Sequence, residues 1–286
     1  MLRRRLVSRL GGIAILLGVA GTLPFGAPAS ADALDDIKSR GRMIVAIDPT
    51  FAPFEYTDSA GKVVGYDPDV LELIAKELGV EVEYQVMAFT GVIPGLIAGS
   101  FDFTATALAV RKERAEKIDL TIPLAASLHS IMRKAGDTKV KSADPKDLSG
   151  LRVAVKQTTS PETVMKNVNA DLESKGLPPT SLLSVDTVEQ TVAALLDGRV
   201  DAICDDILVL TQVISERPDA KFEIVGNIGP VTYVSWGTNK NDPKLNAELN
   251  KQIMALKRSG KLAELQKKHF GLTFDDLPEK DFIPTE

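Results

Sequence analysis

Few residues of this chain have the types and spacing that catalysis needs. His129 and His269 are its two histidines, and neither lies in a nucleophile motif. Cys204 is the single cysteine, so neither an intramolecular disulfide nor a multi-cysteine metal site can form. Nothing in the sequence resembles a metal-binding cluster or a phosphate-binding loop. A catalytic carboxylate stays compatible with the composition, but the sequence predicts no catalytic residue, no metal and no cofactor.

Polar residues at two predicted strand ends suit the binding of a small charged molecule. Thr159 and Ser160 follow one strand, with Ser160 as the predicted cap of a helix and Pro161 in its first turn. The unpaired amides at such a helix start attract an anion, although a well-capped helix alone explains the same residues. Asp205 and Asp206 follow a second strand, where either can bind a ligand or cap the next helix.

Two successive copies of an alternating strand and helix pattern position these residues. Apolar runs and period-two alternation predict strands, whereas a capping residue, an early Pro and a final Gly predict helices. In the first copy Asp67 is the predicted cap, Pro68 the first helical residue and Gly79 the residue past the end. The predicted elements of this copy are a strand at 43–47, a helix at 67–79, a strand at 80–86, a helix at 91–98 and a strand at 101–108.

The second copy follows the same pattern. Asp186 and Glu189 predict a capping box at the start of its second helix. Open α/β units of this kind bind ligands at the carboxyl ends of their strands, so two such units predict a site at these ends. The predicted elements are a strand at 151–155, helices at 161–173 and 187–197, and a strand at 200–204.

The chain is predicted to pass between the two units twice. The polar stretch 136–145, within 127–150, is the predicted first crossing, and a strand near 232–239 is the second. Helices at 242–258 and 261–270 would complete the first unit. Two crossings form a hinge, which allows the units to close on a ligand. The predicted domains are a signal peptide at 1–31, a first lobe at 32–126, a second lobe at 127–229, and a return strand with C-terminal helices at 230–286.

Residues 1–31 have the charged, apolar and small-residue regions of a cleaved secretory signal. The apolar run at 11–23 is too short to span a bilayer. This segment holds four arginines and no acid, so 30 basic and 39 acidic side chains remain after cleavage, a formal charge near −9. Such a charge argues against a nucleic acid partner. We therefore expect an exported, soluble protein.

Four motifs and one downstream segment occur in a fixed order along the chain. They are VAIDPTFAPFE at 45–55, GKVVGYDPDV at 61–70, FTGVIPGLIAGSFD at 89–102, RKERAEKIDLT at 111–121 and GRVDAICDD at 198–206. Together they resemble the polar amino-acid family of ABC-transporter periplasmic substrate-binding proteins, solute-binding protein family 3, including its glutamine-binding and lysine/arginine/ornithine-binding members. The resemblance implies an α/β, two-lobed periplasmic-binding-protein fold. Each lobe would be an open, mostly parallel sheet flanked by helices, and two strands would form the hinge.

The resemblance also implies which residues hold the ligand head group. Arg114 matches the arginine that binds the ligand α-carboxylate, and a guanidinium can donate two parallel hydrogen bonds to that group. Asp206 matches the carboxylate that receives the α-ammonium. Asp205 is the competing position, and we expect it at the rim of the site. The segment with Thr159 and Ser160 matches the one that holds the other side of the ligand carboxylate.

Four further residues match positions around the ligand side chain. Phe51 and Phe89 match the two aromatic residues that sandwich it. Asp48 and Lys156 match positions at its distal end, where an acid alone favours a cationic ligand and an acid with a lysine occurs in glutamine-binding members. The two opposite charges would pair with a neutral polar side chain or with each other.

The chain departs from the family pattern just before the arginine. Relatives have Gly or Ser, a large residue, and then Ser or Thr, whereas this chain has Ala107, Leu108 and Ala109. The hydroxyl that contacts the ligand head group is therefore missing, although the Ala107 carbonyl can still accept from an ammonium. Losing one hydrogen bond costs about 0.5–1.5 kcal/mol, or else the head group is not that of a standard α-amino acid. Arg111 also replaces a Thr, and Leu124 a Tyr.

The resemblance implies a monomeric periplasmic protein that captures an amino acid or a similar small zwitterion. An ABC permease in the inner membrane would be its partner, and ligand binding would drive closure of the lobes. Two other functions share the fold. One is an enzyme similar to cyclohexadienyl dehydratases, and the other is a sensor whose liganded form docks on a chemoreceptor. We expect the transport function and no enzyme activity.

Overall fold

A mixed β-sheet runs through the part of the chain that the computed structural model describes, residues 32–284. The predicted signal peptide at 1–31 lies outside these residues. The strands are β1 (Arg42–Ile47), β2 (Thr50–Phe51), β3 (Glu55–Thr57), β4 (Val63–Val64), β5 (Glu81–Val86), β6 (Phe103–Ala109), β7 (Asp119–Leu120), β8 (Ala125–Lys134), β9 (Arg152–Lys156), β10 (Ser181–Val185), β11 (Ala202–Asp206) and β12 (Phe222–Thr238).

Helices cover both halves of this sheet. They are α1 (Ala33–Arg40), α2 (Tyr66–Leu78), α3 (Phe89–Ile97), α4 (Lys112–Ala115), α5 (Pro145–Leu148), α6 (Ser160–Ser174), α7 (Val188–Leu196), α8 (Ile207–Glu216), α9 (Pro243–Arg258) and α10 (Lys261–Phe270). Within the described residues, none of them has both the length and the apolar character that crossing a bilayer requires.

The order of the strands divides the molecule into two lobes. The sheet order is β10-β9-β11-β8-β12-β6-β1-β5, and the separate small sheet is β2-β3-β4. In the first lobe β1 pairs in parallel with β5 and β6, and in the second β9 pairs in parallel with β10 and β11. The apolar run of β1 fits this place, because a central parallel strand is covered on both faces. Each lobe is therefore an open sheet that is parallel except where β8 and β12 join it.

The two long strands β8 and β12 connect the lobes. They pair with each other in antiparallel register at both ends, and the register shifts between Ile228 and Thr232. The prediction that the polar stretch 136–145 makes the first crossing is wrong, since β8 crosses and this stretch follows it. A paired strand satisfies its backbone amides and carbonyls while it crosses, which a loop between the lobes does not. The predicted lobe boundaries, at 126/127 and 229/230, fall within these strands and stay a prediction.

The start of α2 differs from its prediction. Gly65, not Asp67, precedes the helix, with φ 133°. A Cβ at this position would lie 2.4 Å from the Phe54 carbonyl oxygen, so glycine is required there. Asp67 is instead buried in the first turn, where one carboxylate oxygen accepts a hydrogen bond from Trp236 Nε1 at 3.0 Å.

Two helix starts in the second lobe are displaced by one residue from their predictions. Thr187 and Gln190 form the capping box of α7, in place of Asp186 and Glu189, because the extended Thr187 accepts from the Gln190 amide. Thr159, rather than Ser160, precedes α6. Its hydroxyl donates to the Lys156 carbonyl at 2.5 Å, which ties the start of the helix to the end of β9.

Candidate functional site

A cavity lies where the two lobes meet, at the carboxyl ends of several strands. The cavity has a volume of about 40 Å³, and about 10–15 Å³ is enough for one water molecule. Nine of the ten predicted ligand-binding residues line it, and the tenth, Asp48, lies behind Lys156. The lining residues are Phe51, Glu55, Phe89, Ala107, Ala109, Arg114, His129, Lys156, Thr159, Ser160, Pro161, Asp206, Thr232 and Val234.

Arg114 brings a positive charge into this cavity from α4, just beyond the end of β6. Its side chain donates to the carbonyl oxygens of Ala109 and Thr158, at 2.9 and 3.1 Å. Although Arg114 is only 3% exposed, no carboxylate of the described residues lies within 4.0 Å of its guanidinium, and its Nε has no hydrogen-bond partner there. Burial, and secondly the charge of Arg111, lowers the pKa of Arg114 to about 9. The guanidinium therefore lacks the counter-charge that a buried cation needs.

Asp206 brings a negative charge from the opposite lobe. It ends β11 and precedes α8, and its carboxylate accepts from the Leu208 amide at 2.8 Å. Burial raises the pKa of Asp206 to about 6, although hydrogen bonds from Ser127 and from backbone amides counteract part of this rise. No lysine or arginine of the described residues forms an ion pair with it. Asp206 can therefore act as helix cap and cavity acid together.

Asp205, the competing acid, does not line the cavity. Successive side chains of a strand point to opposite faces, so Asp205 and Asp206 diverge. Asp205 is 1% exposed and accepts from the Asp206 amide at 2.8 Å. The expectation that Asp205 is a rim residue is wrong, because it is buried beside the cavity and not at its edge.

Lys156 and Asp48 pair with each other across the two lobes. Lys156 Nζ lies 2.6 Å from the Asp48 carboxylate and 2.9 Å from the Thr50 hydroxyl. It also lies 5.4 Å from the ring centroids of both Phe51 and Phe89. Of the two pairings that the sequence left open, the structure has the one between these residues, so this end of the cavity is closed by a neutral ion pair.

A second set of polar contacts joins the lobes beside the cavity. Arg111, from the first lobe, donates to the Thr163 hydroxyl of α6 at 2.5 Å. The Thr158 carbonyl accepts from Arg114 and, at 3.5 Å, from Arg111. Thr158 itself has φ 61°, an uncommon value for a residue that is not glycine. These contacts hold the start of α6, with Thr159 and Ser160, against the first lobe.

Five lining residues were not predicted: Glu55, His129, Pro161, Thr232 and Val234. Glu55 accepts from the Thr106 hydroxyl and from the Ala107 amide at 3.2 Å. Burial and the neighbouring Asp67 raise the pKa of Glu55 well above its usual value, and burial raises that of Asp67 to about 7. Among the described residues, one oxygen of each carboxyl has no other partner, so a proton shared between them satisfies both. The place of Glu55 at the end of the 45–55 motif, directly after Phe54, is the signal that could have identified it.

The cavity offers complementary charges and no metal ligand set. Among residues 32–284, no three His, Cys, Asp or Glu side chains are placed to hold a metal ion. Arg114 offers a cation, Asp206 an anion, and the rings of Phe51 and Phe89 an apolar surface between the head group and the ion pair. A small molecule with a carboxylate and an ammonium fits these charges.

Most of the chain matches a known family of proteins. Residues 43–272 match the model of the bacterial extracellular solute-binding proteins, family 3. An arginine-binding protein of Corynebacterium glutamicum is 31% identical over 67% of this chain and 62% of its own length, so the match spans less than two thirds of that relative. A probable amino-acid ABC transporter-binding protein of Haemophilus influenzae is 26% identical over 88% of this chain and 94% of its own.

Solved structures with the same fold include two ancestral proteins. An ancestral arginine-binding protein, solved with arginine, has a TM-score of 0.74 and is 31% identical, with 81% of this chain and 99% of that one covered. An ancestral amino-acid-binding protein, described as a precursor of cyclohexadienyl dehydratase, has a TM-score of 0.73 and 27% identity, with 83% and 99% covered. The predicted two-lobed α/β fold is therefore confirmed.

Proposed function

The chain belongs to family 3 of the bacterial extracellular solute-binding proteins, and we propose that it captures an amino acid or amino-acid-like zwitterion for an ABC importer. The named relatives are amino-acid-binding proteins, one of them of an ABC transporter, which supports this class of ligand and partner.

One observation carries the proposal: two buried opposite charges face one cavity and neither has a partner of opposite charge among the described residues. A buried ion without a counter-ion is unfavourable, and a zwitterion supplies both missing charges at once. Its carboxylate would bind Arg114, with the start of α6 at Thr159 and Ser160 on its other side. Its ammonium would bind Asp206 and the Ala107 carbonyl.

The ion pair at the other end favours a ligand whose side chain carries no positive charge. Asp48 is already neutralised by Lys156 at 2.6 Å, so a cationic side chain would have to displace the lysine ammonium. A neutral polar side chain can donate to Asp48 or accept from Lys156 without breaking the pair. Phe51 and Phe89 would cover the apolar part of such a ligand.

The remaining parts of the proposal concern the whole protein. Residues 1–31 would direct export to the periplasm, where the protein would act as a monomer. The lobes, at 32–126 with 230–286 and at 127–229, would open at the strands that join them and close on the ligand. An ABC permease in the inner membrane would recognise the closed form. No chemical conversion of the ligand is required.

A thermal-shift screen of the standard L-amino acids, together with opines and betaines, tests the proposal. A ligand that binds only the folded protein raises its melting temperature. We expect a rise with one or more neutral polar amino acids and a smaller rise with L-lysine and L-arginine. If no amino acid or related zwitterion, such as an opine or betaine, raises the melting temperature, the proposal is wrong.

A turnover assay separates transport from the enzyme that shares this fold. The purified protein is incubated with prephenate and with arogenate, and the product is followed by its ultraviolet absorbance. We expect no product above the blank, together with stoichiometric amino acid binding by calorimetry. Turnover of either compound would assign the cavity to catalysis instead.

A further inference from the structure

His129 is a buried polar side chain that lines the cavity, and none of the proposed ligand contacts involves it. It lies on β8, one of the two strands that join the lobes, and lines the cavity although it is 2% exposed. Its Nδ1 has no hydrogen-bond partner among the described residues. A buried nitrogen without a partner is costly, so a ligand atom that bonded to it would be favoured.

The register of the sheet places this imidazole beside the cavity acid. His129 is directly opposite Asp206 in the antiparallel pairing of β8 and β11. Side chains that are directly opposite in such a pair point to the same face, a few ångströms apart. Both residues also line the same cavity. A group that binds Asp206 from within the cavity therefore comes close to His129.

The imidazole is uncharged at neutral pH. Burial, and secondly the charge of Arg111, lowers the pKa of His129 to about 4. A neutral imidazole has one ring nitrogen with a free lone pair, which accepts a hydrogen bond. An ammonium has three N–H donors, of which the Asp206 carboxylate and the Ala107 carbonyl can take two. One donor is left for an acceptor on the same side of the cavity.

We propose that the His129 imidazole accepts a hydrogen bond from the ligand ammonium, next to Asp206, and so selects ligands that carry a primary ammonium. This inference rests on the proposed function, because it assigns a further contact within the same site. Ligands without that ammonium, or with a methylated one, would lose the contact, whereas the nature of the ligand side chain would matter little to it.

The test compares two probes that differ only in the ammonium. L-Glutamine and its des-amino analogue, glutaramate, are titrated by calorimetry into the wild type and into His129→Leu. We expect the substitution to lower the affinity for L-glutamine about tenfold or more, as for a lost hydrogen bond to a charged group. Glutaramate should bind the wild type more weakly than L-glutamine does. Its Kd for His129→Leu should stay within about twofold of its Kd for the wild type, because it makes no such bond.

Two further variants control for altered folding. His129→Asn retains a polar group near the position of Nδ1, so it is expected to recover most of the L-glutamine affinity. Ser130→Ala removes a hydroxyl from the other face of the same strand, where it bonds to Asn227 at 2.7 Å, and is expected to leave both affinities unchanged. If His129→Leu weakens both probes equally, or neither, the inference is wrong.

The two proposals can fail separately. If another L-amino acid gives the largest shift in the screen, that amino acid and its des-amino analogue replace the glutamine pair. Wild-type binding without a selective effect of His129→Leu overturns only the role of His129. The absence of binding by the wild type to every zwitterion tested overturns the proposed function, and the role of His129 with it.

Discussion

The two ends of the cavity use buried charges in opposite ways. At the head-group end, which we define by Arg114 and Asp206, each charge is buried without a partner of opposite sign among the described residues. At the ion-pair end, defined by Asp48 and Lys156, the charges neutralise each other at 2.6 Å. The two ends share the rings of Phe51 and Phe89 between them.

The difference indicates which end requires a ligand. In a buried pair each charge already has its counter-charge. Each lone charge has lost its hydration, and hydrogen bonds replace only part of that hydration. The protein alone therefore satisfies the ion-pair end, and only a zwitterion satisfies the head-group end. Substitutions at the ion-pair end should change which ligand binds, and substitutions at the head-group end should decide whether one binds at all.

The largest effect is expected from Arg114→Met. It removes the positive charge that would bind the ligand carboxylate, so affinity for the best L-amino acid should fall by about 2–5 kcal/mol, from about thirtyfold to several thousandfold. Thermal stability without ligand should change little, because removal of the unpaired buried charge offsets the loss of its hydrogen bonds to the Ala109 and Thr158 carbonyls. Calorimetry measures the affinity, and thermal unfolding measures the stability without ligand. Lys117→Met, at an exposed lysine nearby, is the matched control and should change neither.

Lys156→Met should convert the ion-pair end into a site for a cation. The substitution leaves Asp48 buried without its partner, so L-lysine and L-arginine would gain a counter-charge that L-glutamine cannot provide. Close charge pairs at interfaces contribute about 1.5 kcal/mol or more, so we expect the ratio of the two Kd values to shift toward L-lysine by at least about tenfold. Competition titrations measure this ratio. Equal losses of affinity for L-lysine and L-glutamine would contradict the distinction between the two ends. The control Lys62→Met, at an exposed lysine, should leave the ratio unchanged.

Acid pH should weaken binding at the head-group end through Asp206. Its pKa is raised to about 6 by burial, so the carboxylate that would receive the ammonium is lost below that value. Affinity should be constant above about pH 7 and about tenfold weaker at pH 5. Stability without ligand has the opposite trend, because a raised carboxyl pKa favours the folded state at low pH and this contribution is lost as pH rises through about 6.

The Asp206→Asn variant isolates this contribution. Asp67 and Asp205, each with its pKa raised to about 7, titrate in the same range, so the wild-type profile alone is composite. Subtraction of the variant's profile from that of the wild type removes both. A pH-independent difference in affinity between the two proteins would exclude Asp206 from the ammonium site.

The smallest effect is expected at the contact that joins the lobes near the head-group end. Thr163→Val removes the hydroxyl that accepts from Arg111 at 2.5 Å and keeps the shape of the side chain. One hydrogen bond contributes about 0.5–1.5 kcal/mol, so the Kd should rise about two- to tenfold by weaker closure. Stopped-flow binding would show the change mainly in the dissociation rate. Thr180→Val, at a buried threonine of the same lobe away from the cavity, should leave that rate unchanged.

Local patterns in the sequence predicted much of the fold. The apolar run of β1 and the Pro and Gly at the ends of α9 and α10 depend on neighbours within a few residues, and these elements appear where they were predicted. The crossing strand β8 was missed, because its small and polar residues hide the pattern of a strand. Asp67 has the type and place of a helix cap, yet Trp236, 169 residues away, determines its hydrogen bond.

The same division holds for the cavity. The sequence by itself determined that Thr159 and Asp206 lie at strand ends, since strand ends and helix starts are read from adjacent residues. Only the tertiary structure decided which charges are paired, because Asp48 meets Lys156 across 108 residues and His129 faces the cavity through strand register. Pairing and loss of hydration depend on contacts between distant parts of the chain, and these determine which charged residues remain available to a ligand.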